Sequence, residues 1–269
     1  MPHQSILTEQ AEPLPAAVIR VEHFQKSYAG TLAVSDLSFQ VEPGQILGLV
    51  GPNGAGKTTT MRSLAAIIAP SGGRLHVNGL DVTRDPVGVK QSLAYLPDDP
   101  QLFPDLTVEE HLAFIACAFG VEGAEEKSRV LLEDFELSAK RRSRARDLSR
   151  GMRQKLAICC AYLHDPAALL FDEPLTGLDP HGIRRLKASI LERADQGTAV
   201  LISSHLLAMV EDICTHILIL DSGKQRFFGT LGDLRKQFLQ EEQNATLERI
   251  FFLATQAETE APDLAGVPS

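Results

Sequence analysis

The sequence lacks any apolar run that approaches the roughly 18 residues needed to span a bilayer as a helix. Residues 1–16 also lack a basic region followed by an apolar stretch, which a secretory signal would have. We therefore expect a protein that does not cross a membrane by itself and that stays in the cytosol. Residues 1–16 are expected to form a mobile N-terminal arm.

Cysteine is scarce, and its spacing fits no metal or redox site. The four cysteines show neither a CxxC motif nor the paired spacing of a zinc site. They stand among apolar neighbours, at Cys117, Cys159, Cys160 and Cys214. Free cysteines in such contexts behave as small apolar residues. The pattern favours buried, reduced thiols over a redox or zinc role.

Positive charge is also in short supply. Lys and Arg total 26 against 35 Asp and Glu, which gives a formal net charge of −9. This balance argues against broad attraction to nucleic acid, and we expect no nucleic-acid partner. One local basic run has no interleaved aromatic residues to stack on bases, so we expect a solvated face near a nucleotide phosphate. Its basic residues are Lys140, Arg141, Arg142, Arg144, Arg146, Arg150, Arg153 and Lys155.

The strongest positive signal is a phosphate loop at residues 51–58, which match the pattern G-x-x-x-x-G-K-[ST] at every fixed position. Glycines let the main chain turn tightly and bring successive N–H groups close to a triphosphate. Lys57 adds a positive charge near the β- and γ-phosphates, and Thr58 offers its hydroxyl to Mg²⁺. The residues predicted to bind ATP are Gly51, Pro52, Asn53, Gly54, Ala55, Gly56, Lys57, Thr58 and Thr59, with Lys57 also predicted to be catalytic.

The residues around this loop favour a nucleotide site over a glycine-rich turn without a ligand. The preceding run, residues 46–50, is apolar, as in a buried parallel strand. The following Met61, Leu64, Ala65 and Ile68 recur with the spacing of one helix face. The loop is therefore predicted to join a strand to a helix N-terminus, where unpaired N–H groups and the helix dipole favour an anion.

The chain as a whole predicts an α/β fold. Residues 18–24, 37–41 and 74–79 are predicted to be strands of an N-terminal antiparallel β subdomain. A capping box at residues 107–110 opens an inserted helical subdomain, which spans about residues 98–164.

Apolar strands separated by helical lengths follow the insert, at residues 168–171, 198–202 and 216–220. They predict a phosphate-loop NTPase core with a mainly parallel sheet. We expect a single domain over residues 17–254 and a disordered acidic tail over residues 255–269.

Two adjacent carboxylates, Asp172 and Glu173, follow the apolar run at residues 168–171. This position is the carboxyl edge of the predicted sheet, where ligands bind in open α/β folds. Asp172 is predicted to hold Mg²⁺, and Glu173 to polarise the water that attacks the γ-phosphate. His205 also ends an apolar strand and could hydrogen-bond the γ-phosphate, although a lone histidine is more often structural.

These motifs together resemble the ATP-binding cassette family, the motor subunits of ABC transporters, over about residues 18–229. Beside the phosphate loop and the two carboxylates, residues 148–154 (LSRGMRQ) look like the family signature usually written LSGGQ. The resemblance implies that Tyr28 stacks on adenine and that His205 is the switch histidine.

The resemblance also implies a second subunit. Asp179 would lie in the family's dimer-contacting loop, residues 176–179. Ser149 and Gly151, at the start of a predicted helix, would meet the γ-phosphate bound by a partner molecule. One ATP is thus expected to be sandwiched between two subunits.

Two departures from the family pattern concern the signature and Asp98. Arg150 and Met152 replace the first glycine and the glutamine of the signature. Asp98 stands where the family usually has the glutamine that touches Mg²⁺ and couples to the membrane subunit, and a carboxylate can ligate Mg²⁺ too. This combination is similar to cassettes of export-type transporters with a separate membrane subunit.

The function that the resemblance implies is an ATPase that powers export of a substrate through a transmembrane permease. ATP would close a head-to-tail dimer with a second ATPase subunit, and hydrolysis would reopen it. The chain would lie peripherally on the cytoplasmic face of the cell membrane. One alternative is an ATPase of DNA-repair or chromosome assemblies, which is disfavoured because the insert lacks the sustained heptads of a coiled coil. Another is a translation factor, but that class joins two cassettes in one chain, and only one is present here.

Overall fold

The structure is a computed structural model that describes residues 17–204, 207–238 and 247–256. The predicted arm, His205 and the tail beyond residue 256 lie outside the described residues. The described residues form ten β-strands and nine α-helices. The strands are β1 (Ile19–Tyr28), β2 (Thr31–Val41), β3 (Ile46–Val50), β4 (Gly72–Val77), β5 (Leu80–Asp81), β6 (Leu93–Leu96), β7 (Ala168–Asp172), β8 (Ala199–Ser203), β9 (His216–Asp221) and β10 (Lys224–Thr230). The α-helices are α1 (Lys57–Leu64), α2 (Pro86–Ser92), α3 (Val108–Phe119), α4 (Ala124–Asp134), α5 (Arg150–Tyr162), α6 (Pro180–Asp195), α7 (Leu207–Ile213), α8 (Leu231–Phe238) and α9 (Leu247–Gln256).

The predicted antiparallel subdomain is a four-stranded sheet with the order β2-β1-β4-β5. Strands β1 and β2 are joined by a two-residue turn, Ala29 and Gly30, with φ of 46° and 87°, as in tight hairpins. The strand predicted at residues 18–24 is longer than expected, since β1 continues to Tyr28. Register shifts between Val21 and Ser27 interrupt the alternation of side chains between the two faces of the strand. The sequence pattern therefore did not extend the predicted strand to Tyr28.

The predicted core sheet has six strands in the order β10-β9-β3-β8-β7-β6. All neighbouring pairs are parallel except β9 and β10, which confirms a mainly parallel sheet. Every residue of β3, β7 and β8 is buried, because apolar runs in a parallel sheet are covered on both faces. Parallel strands end at one edge, so the phosphate loop after β3 lies at the same edge as Asp172 and Ser203.

The helical insert contains α3, α4 and α5. Thr107 Oγ accepts a hydrogen bond from the Glu110 N–H at 3.2 Å, and the Glu110 carboxylate accepts one from the Thr107 N–H at 2.7 Å. The predicted capping box is therefore confirmed. Leu112 of α3 and Leu132 of α4 join one hydrophobic cluster with Phe171 of β7. The insert therefore shares its core with the parallel sheet.

Two local predictions were wrong. Helix α1 ends at Leu64, because Ala66 turns to a φ of 51°, so Ile68 is not on the helix. Cys159 and Cys214 are buried as expected, but Cys117 is exposed and Cys160 is only half-buried. Helix α9 continues to Gln256, two residues into the predicted tail, and the rest of that tail lies outside the described residues. None of the helices in the described ranges is long and apolar enough to cross a bilayer.

Candidate nucleotide-binding site

The phosphate loop joins β3 to α1, as the sequence predicts. Two of its glycines leave no room for a side chain. A β-carbon at Gly51 would lie 2.4 Å from the carbonyl oxygen of Leu220 in β9. Gly56 has a φ of 102°, and a β-carbon there would lie 2.8 Å from Val34 Cγ2 and 2.9 Å from the Ala33 carbonyl oxygen of β2. Glycine is thus required because neighbouring strands press against the loop.

Lys57 is held inside the loop and is 9% exposed. Its Nζ donates hydrogen bonds to the carbonyl oxygens of Gly51 at 2.7 Å and Pro52 at 3.1 Å. Burial lowers the pKa of Lys57, and the negative charges of Glu173 and Asp172 act in the opposite direction. The ammonium group is therefore preorganised beside the loop by its own backbone.

A cavity of about 240 Å³ lies at this edge of the sheet. The phosphate loop and the start of α1 supply most of its lining, through Asn53, Gly54, Gly56, Lys57, Thr58 and Thr59. The other lining residues are Ala33, Asp98, Asp172 and Glu173. The structure therefore brings the predicted metal residues Thr58, Asp98 and Asp172 into one cavity with Lys57 and Glu173, two of the predicted catalytic residues. Gly51, Pro52 and Ala55 belong to the loop but do not line the cavity, and Gly51 and Pro52 instead hold Lys57.

Asp172 is fixed by two hydroxyl groups and is 2% exposed. Its Oδ1 accepts a hydrogen bond from Ser203 Oγ at 2.5 Å, and its Oδ2 accepts one from the Tyr95 hydroxyl at 3.4 Å. Burial and the charge of Asp172 raise the pKa of Tyr95, which keeps the phenol protonated as a donor. Arg62 of α1 hydrogen-bonds Tyr95 in turn. The Asp172 carboxylate is therefore oriented before any ligand arrives.

Asp98 lies in a segment that connects the cavity with an exposed surface. Its Oδ1 accepts a hydrogen bond from the Asp99 N–H at 3.0 Å. Five residues later, Phe103 is 52% exposed and contacts Phe114 edge to face, with ring centroids 5.3 Å apart. The Phe103 N–H donates to His111 Nε2 at 3.0 Å, while His111 Nδ1 lies 2.8 Å from the Thr107 carbonyl oxygen. This pairing requires the proton on Nδ1, so a neutral His111 holds the segment in place.

The signature residues lie outside the cavity of their own chain. Ser149 is the N-cap of α5, where its Oγ accepts a hydrogen bond from the Met152 N–H at 3.3 Å. A β-carbon at Gly151 would lie 2.7 Å from the carbonyl oxygen of Gly177. Asp179 caps α6 by accepting the Gly182 N–H at 2.8 Å, and this bond lowers its pKa. None of Ser149, Gly151 and Asp179 lines the cavity.

Tyr28 and the basic run also lie outside the cavity lining. The Tyr28 ring is 46% exposed, with Lys26 Nζ 5.0 Å from its centroid. Within the basic run, Arg141 pairs with Glu109 and Arg146 with Asp105, which agrees with a solvated face. No residue of the run lines the cavity, so the predicted proximity to a phosphate is not found within this chain.

Comparison with known proteins identifies the family. A model of the ABC transporter family matches residues 34–176, more than half of the chain. The chain belongs to the ABC transporter family. The ABC-type transporter ATP-binding protein EcsA of Bacillus subtilis is 38% identical over 224 residues, which cover 82% of this chain and 91% of EcsA. The Nod factor export ATP-binding protein I of Cupriavidus pinatubonensis is 35% identical over 226 residues, which cover 82% of this chain and 70% of that protein.

Solved structures of ABC transporter subunits have the same fold. An ATP-binding subunit of an ABC transporter is 34% identical, with a TM-score of 0.84 over 88% of this chain and 99% of that one. The dimeric bacterial cassette MJ0796 is 19% identical, with a TM-score of 0.73 over 79% of this chain and 98% of its own, which shows the fold alone. This ABC transporter chain is an ATP-binding ATPase subunit, and the comparisons favour that function over a DNA-repair or translation assembly.

The ABC cassette has site residues that sequence reasoning missed. Tyr95 and Ser203 contact Asp172, and Ala33 lines the cavity, but no motif marks any of them. Tyr95 and Ser203 are neighbours of Asp172 only because β6 and β8 flank β7 in the sheet. His205 lies outside the described residues, so its predicted contact with the γ-phosphate stays a prediction.

Proposed function

We propose that this ABC cassette hydrolyses ATP with Mg²⁺ in the cavity at its phosphate loop, and that it powers export through a separate transmembrane permease. The observation that carries this proposal is the shared cavity, in which Lys57 meets the carboxylates of Asp98, Asp172 and Glu173.

The triphosphate is proposed to bind along the phosphate loop. The N-terminus of α1 directs unpaired N–H groups and the positive end of its dipole at the β- and γ-phosphates. Lys57 supplies a compact charge that its hydrogen bonds to Gly51 and Pro52 already hold at the loop. Adenine is proposed to stack on Tyr28, which lies on the same hairpin as the cavity-lining Ala33.

The residues around the cavity fit Mg²⁺. The three carboxylates of the lining outweigh the single positive charge of Lys57 and would repel a triphosphate, so a divalent cation is needed between them. No three His, Cys, Asp or Glu side chains within the described ranges are arranged to hold a metal on their own. This suits Mg²⁺, which proteins bind through one or two carboxylates together with waters and substrate phosphates. Thr58, Asp172 and Asp98 are the proposed oxygen donors, and bound Mg²⁺ would neutralise charge on the β- and γ-phosphates.

Glu173 is proposed to accept a proton from the attacking water. It follows Asp172 directly, and its φ of 52° turns its backbone out of the strand direction of β7. It lines the cavity together with Asp172, so neighbouring carboxylates serve two tasks, metal binding and water activation.

A second ATPase subunit is proposed because Ser149, Gly151 and Asp179 do not reach the cavity of their own chain. Ser149 is exposed at the start of α5, where helix N–H groups can receive an anion. The contact of Gly151 with Gly177 ties this helix start to the loop that contains Asp179. In a head-to-tail dimer, the start of α5 and the loop with Asp179 would both face the γ-phosphate that the neighbouring subunit binds. The MJ0796 cassette, which has the same fold, is dimeric.

The permease is proposed to dock on the segment at residues 98–106. Phe103 and Phe114 are 52% and 50% exposed, so they do not behave as core residues, and their rings form an apolar knob. Asp98 of the same segment lines the ATP cavity. Movement of the segment could therefore transmit the state of the nucleotide to a partner at the cytoplasmic face of a membrane. Export is proposed from the name of the Nod factor export relative.

The experiment that tests this function isolates the tagged full-length chain from membranes of its source cell. The expected result is a copurifying transmembrane protein and Mg²⁺-dependent ATP hydrolysis by the complex. Copurification with DNA-repair or ribosomal proteins instead would contradict a transport role. Hydrolysis at the same rate after removal of Mg²⁺ by a chelator would contradict the proposed metal site.

A further inference from the structure

Ser203 is the last residue of β8 and lies directly beside Asp172, the last residue of β7. The two residues are paired in the parallel register of the sheet. Ser203 is fully buried, as are the four apolar residues that precede it in β8. An apolar side chain would continue this pattern, so the hydroxyl group at the end of the strand needs a separate explanation.

The Ser203 hydroxyl joins the two carboxylate residues of the site. Its Oγ donates its single proton to Asp172 Oδ1 at 2.5 Å, and it accepts a hydrogen bond from the Glu173 N–H at 3.2 Å. A hydroxyl offers one donor and two acceptor positions, so both contacts can be made at once. Asp172 Oδ2 accepts the longer bond, from the Tyr95 hydroxyl at 3.4 Å. Ser203 therefore provides the shorter of the two hydroxyl bonds that orient Asp172.

The backbone of Glu173 depends on Ser203 as well. Glu173 has a φ of 52°, a left-handed conformation that is strained for a residue with a side chain. Its N–H is shared between the Ser203 carbonyl oxygen at 3.1 Å and Ser203 Oγ at 3.2 Å. Ser203 thus contacts the strained residue through both its main chain and its side chain.

We propose that Ser203 is a positioning residue for hydrolysis, which sets the directions of the Asp172 carboxylate and the Glu173 backbone together. This inference rests on the proposed roles of Asp172 with Mg²⁺ and of Glu173 with water. Loss of the hydroxyl frees Asp172 to rotate and loosens the turn at Glu173. A displacement of about 1 Å at a reacting group can cost 10²-fold in rate. Ser203 does not line the cavity and is not part of the phosphate loop that is proposed to bind ATP.

The experiment compares Ser203→Ala with Ser189→Ala in the full-length chain. Ser189 of α6 is a matched control, because its buried hydroxyl also makes two hydrogen bonds, to Tyr162 and to the Leu186 carbonyl oxygen, but it does not line the cavity. For Ser203→Ala we expect kcat to fall at least tenfold and the Mg²⁺ concentration for half-maximal ATP binding to rise several-fold. Affinity for ATP without Mg²⁺ should stay unchanged. Ser189→Ala should lower thermal stability only.

A second variant keeps the test decisive if Ser203→Ala folds poorly. Ser203→Cys retains a weak S–H donor of similar size, so its kcat should fall between those of the wild type and Ser203→Ala. Wild-type kcat and Mg²⁺ dependence in Ser203→Ala, or equal losses of activity in the Ser203 and Ser189 variants, would overturn the proposal. Glu173→Gln distinguishes failure of the proposed function from failure of the Ser203 inference. If Glu173→Gln retains full turnover, the proposed role of Glu173 is wrong, whatever the Ser203 variants show.

Discussion

A β-carbon at Gly223 would lie 2.6 Å from the carbonyl oxygen of Ala33. Gly223 is in the turn between β9 and β10, where its N–H donates to the Ala55 carbonyl at 3.2 Å and its own carbonyl accepts the Ser35 N–H at 2.8 Å. Three backbone segments, from β2, the phosphate loop and this turn, therefore meet at one glycine. Because Ala33 lines the nucleotide cavity, the size of residue 223 affects the cavity wall.

Gly223→Ala is expected to weaken ATP binding. The new β-carbon must push Ala33 or the phosphate loop aside, so the KM for ATP should rise several-fold while kcat changes little. Steady-state kinetics over a range of ATP concentrations measures this split.

Gly79→Ala is the matched control for that variant. Gly79 follows β4 in a similar turn with a φ of 78° against 77° for Gly223, but a β-carbon there meets nothing within 4 Å. Both variants carry the same backbone strain of about 1–2 kcal/mol. Both should therefore lose thermal stability, but only Gly223→Ala should raise KM. Equal kinetic effects in the two variants would show that strain alone is responsible.

Lys57→Ala and Glu173→Gln are expected to separate binding from hydrolysis. Lys57 is held at the loop by two carbonyl oxygens, so its loss should weaken ATP affinity at least tenfold. Glu173→Gln should bind MgATP normally and hydrolyse it about 10²-fold more slowly, because a general base contributes roughly this much. Equilibrium titration with ATP and single-turnover hydrolysis measure the two defects. The proposed roles fail if both variants show the same defect.

The same Glu173→Gln protein allows a test of the second subunit. It should form an ATP-dependent dimer, since binding is retained and hydrolysis is not. A cysteine introduced at Ser149 should then crosslink to one in the phosphate loop of the other chain. Crosslinks formed only within one chain would be incompatible with the proposed sandwich.

Tyr28→Ala is expected to raise the KM for ATP about tenfold, because stacking of a base on an aromatic ring contributes about 1–3 kcal/mol. Turnover at saturation should be nearly unchanged, since stacking is the same in ground and transition states. Leu32→Ala is a matched control, because Leu32 is 51% exposed on the same hairpin. Tyr28→Phe should keep the wild-type KM. If Tyr28→Ala and Leu32→Ala both change only thermal stability, Tyr28 does not stack on adenine.

Phe103→Asp is expected to abolish association with the permease and leave ATP binding intact. An exposed aromatic anchor commonly contributes at least about 2 kcal/mol to an interface, which is roughly a 30-fold loss of affinity. Val130→Asp is the control, because Val130 is an apolar residue of α4 that is 42% exposed in the same insert. Asp98→Ala should keep the association and reduce permease-stimulated hydrolysis. An unfolded Phe103→Asp protein would instead indicate core packing, and full stimulation in Asp98→Ala would remove Asp98 from coupling.

Local sequence determined the phosphate loop, the capping box at Thr107 and the apolar strands of the core. In each case, residues close in sequence carry the whole signal: glycines that free the backbone, a side chain that caps a helix three residues on, or a run of apolar residues. The prediction that Asp172 and Glu173 are site residues came from the same kind of signal, since both directly follow an apolar run. Helix and strand ends were less predictable, as Tyr28 and Leu64 show, because bulges and left-handed residues have weak sequence signals.

Only the tertiary structure decided which distant residues surround these motifs. Ser203 lies beside Asp172 because β8 was placed next to β7 in the sheet, although 31 residues separate them in the chain. Gly223 meets Ala33 and Ala55 for the same kind of reason, since β2, the phosphate loop and β9 converge at one edge. Sequence patterns report on local geometry and burial, whereas strand order depends on the packing of the whole core. The motifs therefore supply the residue types of the candidate site, and the fold supplies the distant residues that orient their side chains.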